Sequence, residues 1–190
     1  PPPPPPPFFF QAEDGIRDSV SSRGRGDVYK RQIIMIIFLG FDLSSKIWIR
    51  LNVSLYETTE LLANILDLTH VQNRGVSFGL LADFSDSFRV PLLVGVSLLA
   101  VAAMLYYQTR YWSELDFFTR SGLVLVLPGA TGNLIDRAIF GYVTDFLHFH
   151  WYETSFFVNN FADCFISLGV IFFIVPLLFS KNGSTSSNSS

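Results

Sequence analysis

The residues best suited to chemistry in this chain are carboxylates at the ends of apolar segments. Asp136 follows one such segment, Asp145 lies in the connection after it, and Asp163 opens the next segment. Asp42 stands late in the first segment, so all four side chains should lie near one membrane face. Ionisable groups in or beside membrane helices are costly to bury and are therefore functional candidates. Their convergence predicts a site at the lipid–water boundary.

Asp145 and Asp163 are the predicted catalytic pair. Neither has an evident cationic neighbour along the sequence. Two close carboxylates cannot both ionise cheaply, so the pKa of one rises and the pair can act as acid and base together. We expect the two side chains to share a proton and to hold the water that attacks a substrate carbonyl.

Polar residues at helical spacing accompany this pair. Asn133, Asp136 and Arg137 are spaced i, i+3 and i+4 and should share a helix face, and Asn160 precedes Asp163 by three residues. A neighbouring arginine keeps a carboxylate ionised, so the Asp136–Arg137 pair is expected to be structural rather than catalytic.

A second pair, Asp42 and Lys46, is spaced i and i+4 and predicts an ion pair that orients other groups or positions substrate. No metal site and no cofactor are expected. His148 and His150 would share a strand face, but no third ligand is near them in the sequence. The single cysteine, Cys164, excludes an internal disulfide. The G-x-S-x-G, H-E-x-x-H and Walker patterns are missing, which removes the grounds for serine-hydrolase, zinc-peptidase and P-loop functions.

Apolar segments must position these groups, and their lengths predict four transmembrane helices. The clearest is the charge-free run 90–109, which has the roughly 20 residues that a span requires. Runs 121–135 and 164–180 are also free of charge, and 33–41 begins a first span. The chain is 15% charged, whereas a soluble domain averages about 25%. The net charge of −3 argues against a nucleic-acid partner.

The predicted fold class is therefore an all-α membrane protein with two structured connections. Segment 52–87 alternates apolar and polar residues and predicts a small β-hairpin, or cradle, on the membrane surface. Segment 138–160 is rich in aromatic residues and is expected to be an interfacial loop. Both lie on the side opposite the termini, although the distribution of Lys and Arg does not decide which side faces the cytoplasm.

The two ends of the chain differ from the rest, which leaves 33–180 as the predicted membrane domain. Residues 1–32 begin with PPPPPPPFFF and continue as a polar, Gly/Arg-rich stretch without periodicity. This stretch resembles translated adapter sequence, so we expect 1–32 to be foreign and disordered, and to replace the native start of the first helix. The alternative is a native disordered arm with a polyproline II start. Residues 181–190 are expected to form a disordered polar tail.

Five separated motifs in order resemble those of the lipoprotein signal peptidases, a family of membrane aspartyl proteases. The first two are DLSSK (42–46) and NRGVSFG (73–79). GATGNLIDR (129–137) is similar to the G-x-x-G-N-x-x-D-R block, and YVTDF (142–146) and NFAD (160–163) resemble the blocks that carry the catalytic aspartates. The chain departs from the family pattern at Leu43, Pro128 and Asn159.

The resemblance implies an endopeptidase of the bacterial inner membrane that cleaves prolipoproteins before a diacylglyceryl-modified cysteine. Asp145 and Asp163 would be catalytic, and loops 50–89 and 136–163 would face the extracytoplasmic side. Membrane lipid and a lipid-modified prolipoprotein would be the partners of a monomeric enzyme. The resemblance assigns site-supporting or substrate-binding roles to Asp42, Lys46, Asn73, Gly75, Gly129, Asn133, Asp136, Arg137, Asn160 and Ala162.

Two other functions fit a small membrane protein with buried acids. A transporter or proton-coupled channel would use its carboxylates as a relay, but it predicts acids near the bilayer midplane rather than at helix ends. A structural or assembly subunit would tolerate loss of the carboxylates.

Overall fold

The computed structural model describes residues 1–2, 12–75 and 84–180, and side chains within 1–2, 28–75 and 84–178. The predicted polar tail, 181–190, lies outside the described residues. The chain divides into two compact units, Pro1–Ile34 and Met35–Ser190, and the site lies entirely in the second. The elements are α1 (Ala12–Asn52), β1 (Thr58–Leu62), β2 (Leu66–Asn73), α2 (Asp86–Tyr111), α3 (Phe117–Phe140), β3 (Val143–Trp151), β4 (Thr154–Asn159) and α4 (Phe161–Ser180).

Four helices within the described residues are long and apolar enough to cross a membrane, as predicted. The spans are Val28–Asn52, Asp86–Tyr111, Phe117–Phe140 and Phe161–Leu178. Each is longer than the apolar run that identified it, because the charged residues at the run's ends continue the helix. Asp136 and Asp163 therefore belong to the ends of the third and fourth spans themselves.

Helix α1 begins at Ala12, which differs from the expectation that 1–32 lacks regular structure and that the first helix is truncated. Once a helix has nucleated, each further residue adds a backbone hydrogen bond at little extra cost, so a stable span can extend into a polar segment. The foreign origin of residues 1–32 is a separate question and stays a prediction.

Local signals set both ends of α3. The Asp116 carboxylate accepts hydrogen bonds from the backbone N–H groups of Phe118 and Thr119, which caps the helix start. At the other end Gly141 adopts φ 76°, and its N–H donates to the carbonyl of Arg137. A left-handed glycine ends a helix because it lacks the Cβ that would clash there. The chain then enters β3 and reaches Asp145 within four residues.

The four strands form one antiparallel sheet in the order β1-β2-β3-β4. The predicted hairpin is confirmed as β1–β2, but the prediction of a loop at 138–160 is wrong, because most of that segment is β3 and β4. Its aromatic and β-branched residues suit a pleated surface, and pairing with β2 satisfies the backbone of β3. Since one sheet contains both connections, they lie on the same side of the helices, as predicted.

The sheet packs onto the helix ends through a small core. Ile49 of α1 and Phe146 and Leu147 of β3 are buried at its centre. Phe161 and Cys164 of α4 pack against these residues. This contact fixes β3 over the ends of α1 and α4, which determines where the carboxylates meet.

Small residues bring α3 and α4 close together. A Cβ added to Gly129 would lie 2.6 Å from the carbonyl oxygen of Ala162, and one added to Gly169 would lie 2.9 Å from that of Gly122. Such close backbone approach is typical of helix pairs in membranes. The buried Pro128 sits inside α3, which continues through it.

Candidate active site at the junction of the sheet and the helices

One asparagine side chain contacts both predicted catalytic residues, through the carboxyl of Asp145 and the backbone N–H of Asp163. The Nδ2 of Asn160 donates to Oδ1 of Asp145 at 2.6 Å, and its Oδ1 accepts from the backbone N–H of Asp163 at 3.0 Å. The backbone N–H of Asn160 also points at Oδ2 of Asp163, 3.4 Å away. Asn160 is fully buried between β4 and α4. The structure therefore brings Asp145 of β3 and Asp163 of α4 to one place.

Asp145 lies in an environment that favours its protonated form. The side chain is almost completely buried, and burial, followed by the charge of Asp163, raises its pKa from 3.8 to about 7. Hydrogen bonds from Asn73 and Asn160, and then the charge of Lys46, act in the opposite direction. A carboxyl that titrates near neutral pH can both hold and release a proton at that pH.

A series of hydrogen-bonded polar side chains from α1 and α3 reaches Asp163. Nδ2 of Asn133 donates to Oδ1 of Asp163 at 2.8 Å, while Oδ1 of Asn133 accepts from Nζ of Lys46 at 2.8 Å. Lys46 also donates to Oδ2 of Asp42 at 2.8 Å, so the predicted Asp42–Lys46 ion pair is present. Oδ1 of Asp42 accepts the backbone N–H of Ala162 at 2.8 Å. These predicted supporting residues thus form a hydrogen-bonded network next to Asp163.

Asp136 is paired with a cation, but not with the one expected from the sequence. Its Oδ1 accepts from Nη1 of Arg50 at 3.0 Å, and Lys46 lies 3.9 Å from its Oδ2. Arg137 instead donates to the carbonyl oxygen of Gly75 at 3.2 Å. Consecutive residues on a helix point in different directions, so an adjacent pair does not face each other. The ion pairs of Asp136 are thus with Arg50 and Lys46, and its structural role stays a prediction.

Arg50 was not among the site residues predicted from the sequence, although its helical spacing could have identified it. It follows Lys46 by four residues and so shares the inward face of α1 with both Lys46 and Asp42. Besides Asp136 it contacts Oγ1 of Thr144 at 2.7 Å and lies over the ring of Phe140, 4.3 Å from its centroid. Asp42, Lys46 and Arg50 follow one another at intervals of four residues, and this spacing could have added Arg50 to the predicted site.

The remaining predicted residues lie where β2 and α3 approach the carboxyls. Nδ2 of Asn73 donates to Oδ2 of Asp145 at 2.9 Å, and Oδ1 of Asn73 accepts from the N–H of Gly75 at 3.1 Å. Gly129 faces the backbone of Ala162, which is fully buried. All of the predicted site residues therefore border one region.

A cleft of about 720 Å³ opens beside Asp145. Its lining within the described residues includes Tyr56, Val71, Asn73, Phe84, Arg89 and Asp145. Arg89 is itself buried and is bonded to Asp86 and to the carbonyl of Phe84. The cleft is large enough for a short peptide segment and has one carboxyl of the pair on its wall.

The two histidines lie away from this region, on the outward part of the sheet. The rings of His148 and His150 stack with centroids 5.2 Å apart, and both side chains approach Asp67. Asp67 was not a candidate in the sequence analysis, and the pairing of β2 with β3 places it opposite His148. Among the described residues no group of three or more His, Cys, Asp or Glu side chains could hold a metal ion.

Comparison with known proteins gives concordant matches. The family described as signal peptidase (SPase) II matches residues 34–179. The chain is 37% identical to the lipoprotein signal peptidase of Clostridioides difficile over 155 residues, which cover 80% of this chain and 97% of that protein. It is 35% identical to the lipoprotein signal peptidase of Solibacter usitatus over 156 residues, covering 80% and 93%.

Solved structures show the same fold. One bacterial membrane enzyme matches with a TM-score of 0.67 and 26% identity, over 80% of this chain and 94% of that chain. Another matches with a TM-score of 0.70 and 23% identity, over 86% and 96%.

Proposed function

The chain belongs to the signal peptidase II family, and from that premise we propose that Asp145 and Asp163 catalyse its reaction. The protein is a multi-pass bacterial membrane protease that removes signal peptides from prolipoproteins. The observation that carries the proposal is the buried Asn160, whose side chain contacts both acidic residues. The alternative of a transporter or proton-coupled channel is not supported by these relatives.

The proposed mechanism uses one proton shared between the two carboxyls. Asp145, with its pKa near 7, holds the proton, and Asp163 acts as the proton acceptor. Asp163 accepts a proton from water as the water oxygen attacks the scissile carbonyl, and Asp145 donates its proton to the carbonyl oxygen. Asp163 then gives its proton to the nitrogen while Asp145 takes back the proton of one hydroxyl of the tetrahedral intermediate, so the C–N bond breaks, a carboxylic acid forms and the amine leaves. Neither a metal nor a cofactor is needed for these transfers.

The proposed substrate is a prolipoprotein whose cysteine carries a diacylglyceryl group, cleaved immediately before that cysteine. The cleft beside Asp145 would hold the peptide, and the exposed apolar flanks of the helices would contact the acyl chains. Burial of acyl chain contributes about 0.8 kcal/mol per CH₂. The lipid would therefore supply most of the affinity and leave few demands on the peptide sequence.

The proposed location is the inner membrane, with the sheet and the carboxyls on the extracytoplasmic face. Lipidated precursors are expected to reach the enzyme from that side, and the sheet joins the connections after α1 and α3 there. A reporter active only outside the cytoplasm should function when inserted in the turn at Glu153 and not when inserted at Ser113. The reverse result would invert the proposed orientation.

We further propose that residues 33–180 form the membrane peptidase domain, that the protein acts as a monomer, and that it binds no nucleic acid. The family match over 34–179 supports the bounds proposed for this domain. Residues 1–32 are proposed to be foreign to the gene. Sequencing the native locus tests the last point, since a native in-frame codon run upstream of residue 33 would contradict it.

The catalytic assignment is tested with isosteric amides. Asp145→Asn and Asp163→Asn should each lower cleavage of a diacylglyceryl-modified precursor by about 10²–10⁴-fold, the range for loss of a general acid or base. Shortened product is followed by gel shift, and folding is followed by thermal unfolding in detergent. Glu114→Gln, an exposed carboxylate in the opposite connection, is the matched control and should remain active. Near-normal turnover by either aspartate variant would remove that residue from the mechanism.

A further inference from the structure

Arg50 contacts the catalytic region without lining the cleft. It stands in the last turn of α1, half-buried, and both of its hydrogen bonds leave the same nitrogen, Nη1. One reaches Asp136 of α3 and the other reaches Thr144 of β3. We propose that Arg50 is a positioning residue that sets the place of Asp145 through Asp136 and Thr144. This inference rests on the proposed function of Asp145.

The connection to Asp145 is short. Thr144 immediately precedes Asp145 and is held at two points, because its N–H donates to Oδ2 of Asp136 at 3.0 Å and its hydroxyl contacts Arg50. Asp136 and Thr144 are both completely buried. A buried, fully bonded network allows few alternative arrangements. The peptide that joins Thr144 to Asp145 is therefore held against α1 and α3 on one side, while Asn73 and Asn160 hold the Asp145 carboxyl on the other.

The guanidinium is itself restrained. Its central carbon lies 4.3 Å from the centroid of the Phe140 ring, a cation–π arrangement that limits its rotation. Lys46 approaches the same Asp136 carboxylate at 3.9 Å but bonds to Asp42 and Asn133. Lys46 and Arg50 thus support different carboxyls. Lys46 bonds to Asn133, which donates to Asp163, whereas Arg50 bonds to Thr144, which precedes Asp145.

A positioning role and a substrate-binding role make different kinetic predictions. Misplacement of a reacting group by about 1 Å can cost about 10²-fold in rate. Loss of Arg50 should therefore lower kcat by about 10- to 100-fold and leave KM within about twofold, because the cleft walls are unchanged. A residue that bound substrate directly would instead raise KM.

The test measures kcat and KM of detergent-purified full-length variants on a diacylglyceryl-modified precursor, with thermal unfolding alongside. Arg50→Gln should show the kcat loss, and Thr144→Val should show a smaller loss of the same kind. The double variant should be no more than about twofold worse than Arg50→Gln, since coupled residues are not additive. Arg50→Lys should regain activity to within about fivefold, because one ammonium nitrogen can make both bonds of Nη1. Arg110→Gln, an exposed arginine at the end of α2, is the control.

Three results would overturn the inference. They are an unchanged kcat in Arg50→Gln, a rise in KM at constant kcat, and strictly additive effects of Arg50→Gln and Thr144→Val. If Arg50→Gln does not fold, a wild-type kcat in Thr144→Val would by itself contradict the inference. The proposed function fails separately, because it requires the wild-type protein itself to cleave the precursor.

Discussion

Replacing Gly129 with alanine should separate α3 from α4 at the point where α4 carries Asp163. The added Cβ would lie 2.6 Å from the carbonyl oxygen of Ala162 and 3.0 Å from Cγ1 of Ile166. Carbon and carbonyl oxygen normally approach no closer than about 3.3–3.6 Å. The helices must therefore move apart locally by roughly 0.7–1 Å, the difference between these distances. Because the obstacle is backbone, rotation of a side chain cannot relieve it.

This movement would disturb the support of the catalytic pair. The N–H of Ala162 is held by Asp42, and the next residue, Asp163, accepts from Asn133 at 2.8 Å. A shift of α4 relative to α3 stretches the bond between Asn133 and Asp163. We expect a fall in kcat of about 10²-fold, the cost of a 1 Å misplacement. Overpacking at Gly129 should lower the free energy of unfolding by about 1–3 kcal/mol. Replacing a glycine in a helix with alanine should raise it by about 0.5–1 kcal/mol, which offsets only part of that loss.

Gly95→Ala is the matched control, since a Cβ at that position in α2 meets nothing within 4 Å. It should leave kcat unchanged and keep or slightly raise the midpoint of thermal unfolding. Both variants would be compared with the wild type by initial rates on a lipidated precursor and by unfolding in the same detergent. If Gly129→Ala retained activity within twofold of Gly95→Ala, the claim that close helix approach positions Asp163 would be refuted.

Two further predictions follow from the same site. Burial raises the pKa of Asp145 to about 7, so its proton is present below that pH and is lost above it. Because Asp145 is the proposed proton donor, kcat should fall as the pH rises, with a midpoint near pH 7. A kcat that is flat or rising up to pH 9 would contradict Asp145 as the proton donor. Lys46→Met should destabilise the protein by about 3–5 kcal/mol, because Lys46 is fully buried between Asp42, Asn133 and Asp136 and its loss leaves a buried charge unpaired. Denaturant unfolding in detergent measures this cost, and a change below about 1 kcal/mol would show that Lys46 is dispensable for folding.

Much of the helical architecture could be predicted from the sequence. The charge-free run 90–109 is long enough to span a bilayer, and in lipid such a segment must be helical because its backbone has no other hydrogen-bond partners. The acids were candidates because ionisable groups beside membrane helices are rare without a function, and the resemblance of five short motifs named the other site residues. These features depend on local composition and spacing.

The sheet could be predicted only in part. Segment 52–87 alternates apolar and polar residues, and this local pattern indicated a hairpin, which the structure forms as β1–β2. The pairing of β2 with β3 joins residues 70 or more positions apart, as in Val71 opposite Asp145, and nothing local to 138–160 specified that partner. The aromatic residues there suit both an interfacial loop and a strand, so the segment was assigned wrongly.

The sequence by itself determined which side chains are available and whether each stands at a helix end or in a connection. Tertiary structure alone decided which of them touch: that Asp136 pairs with Arg50 rather than with the adjacent Arg137, and that Asn160 contacts both acidic residues. The physical reason is that such partners are chosen by how helices and strands pack. Close approach at Gly129 and the burial of Ile49, Phe146 and Leu147 set those distances, and neither is visible in the spacing of any single segment.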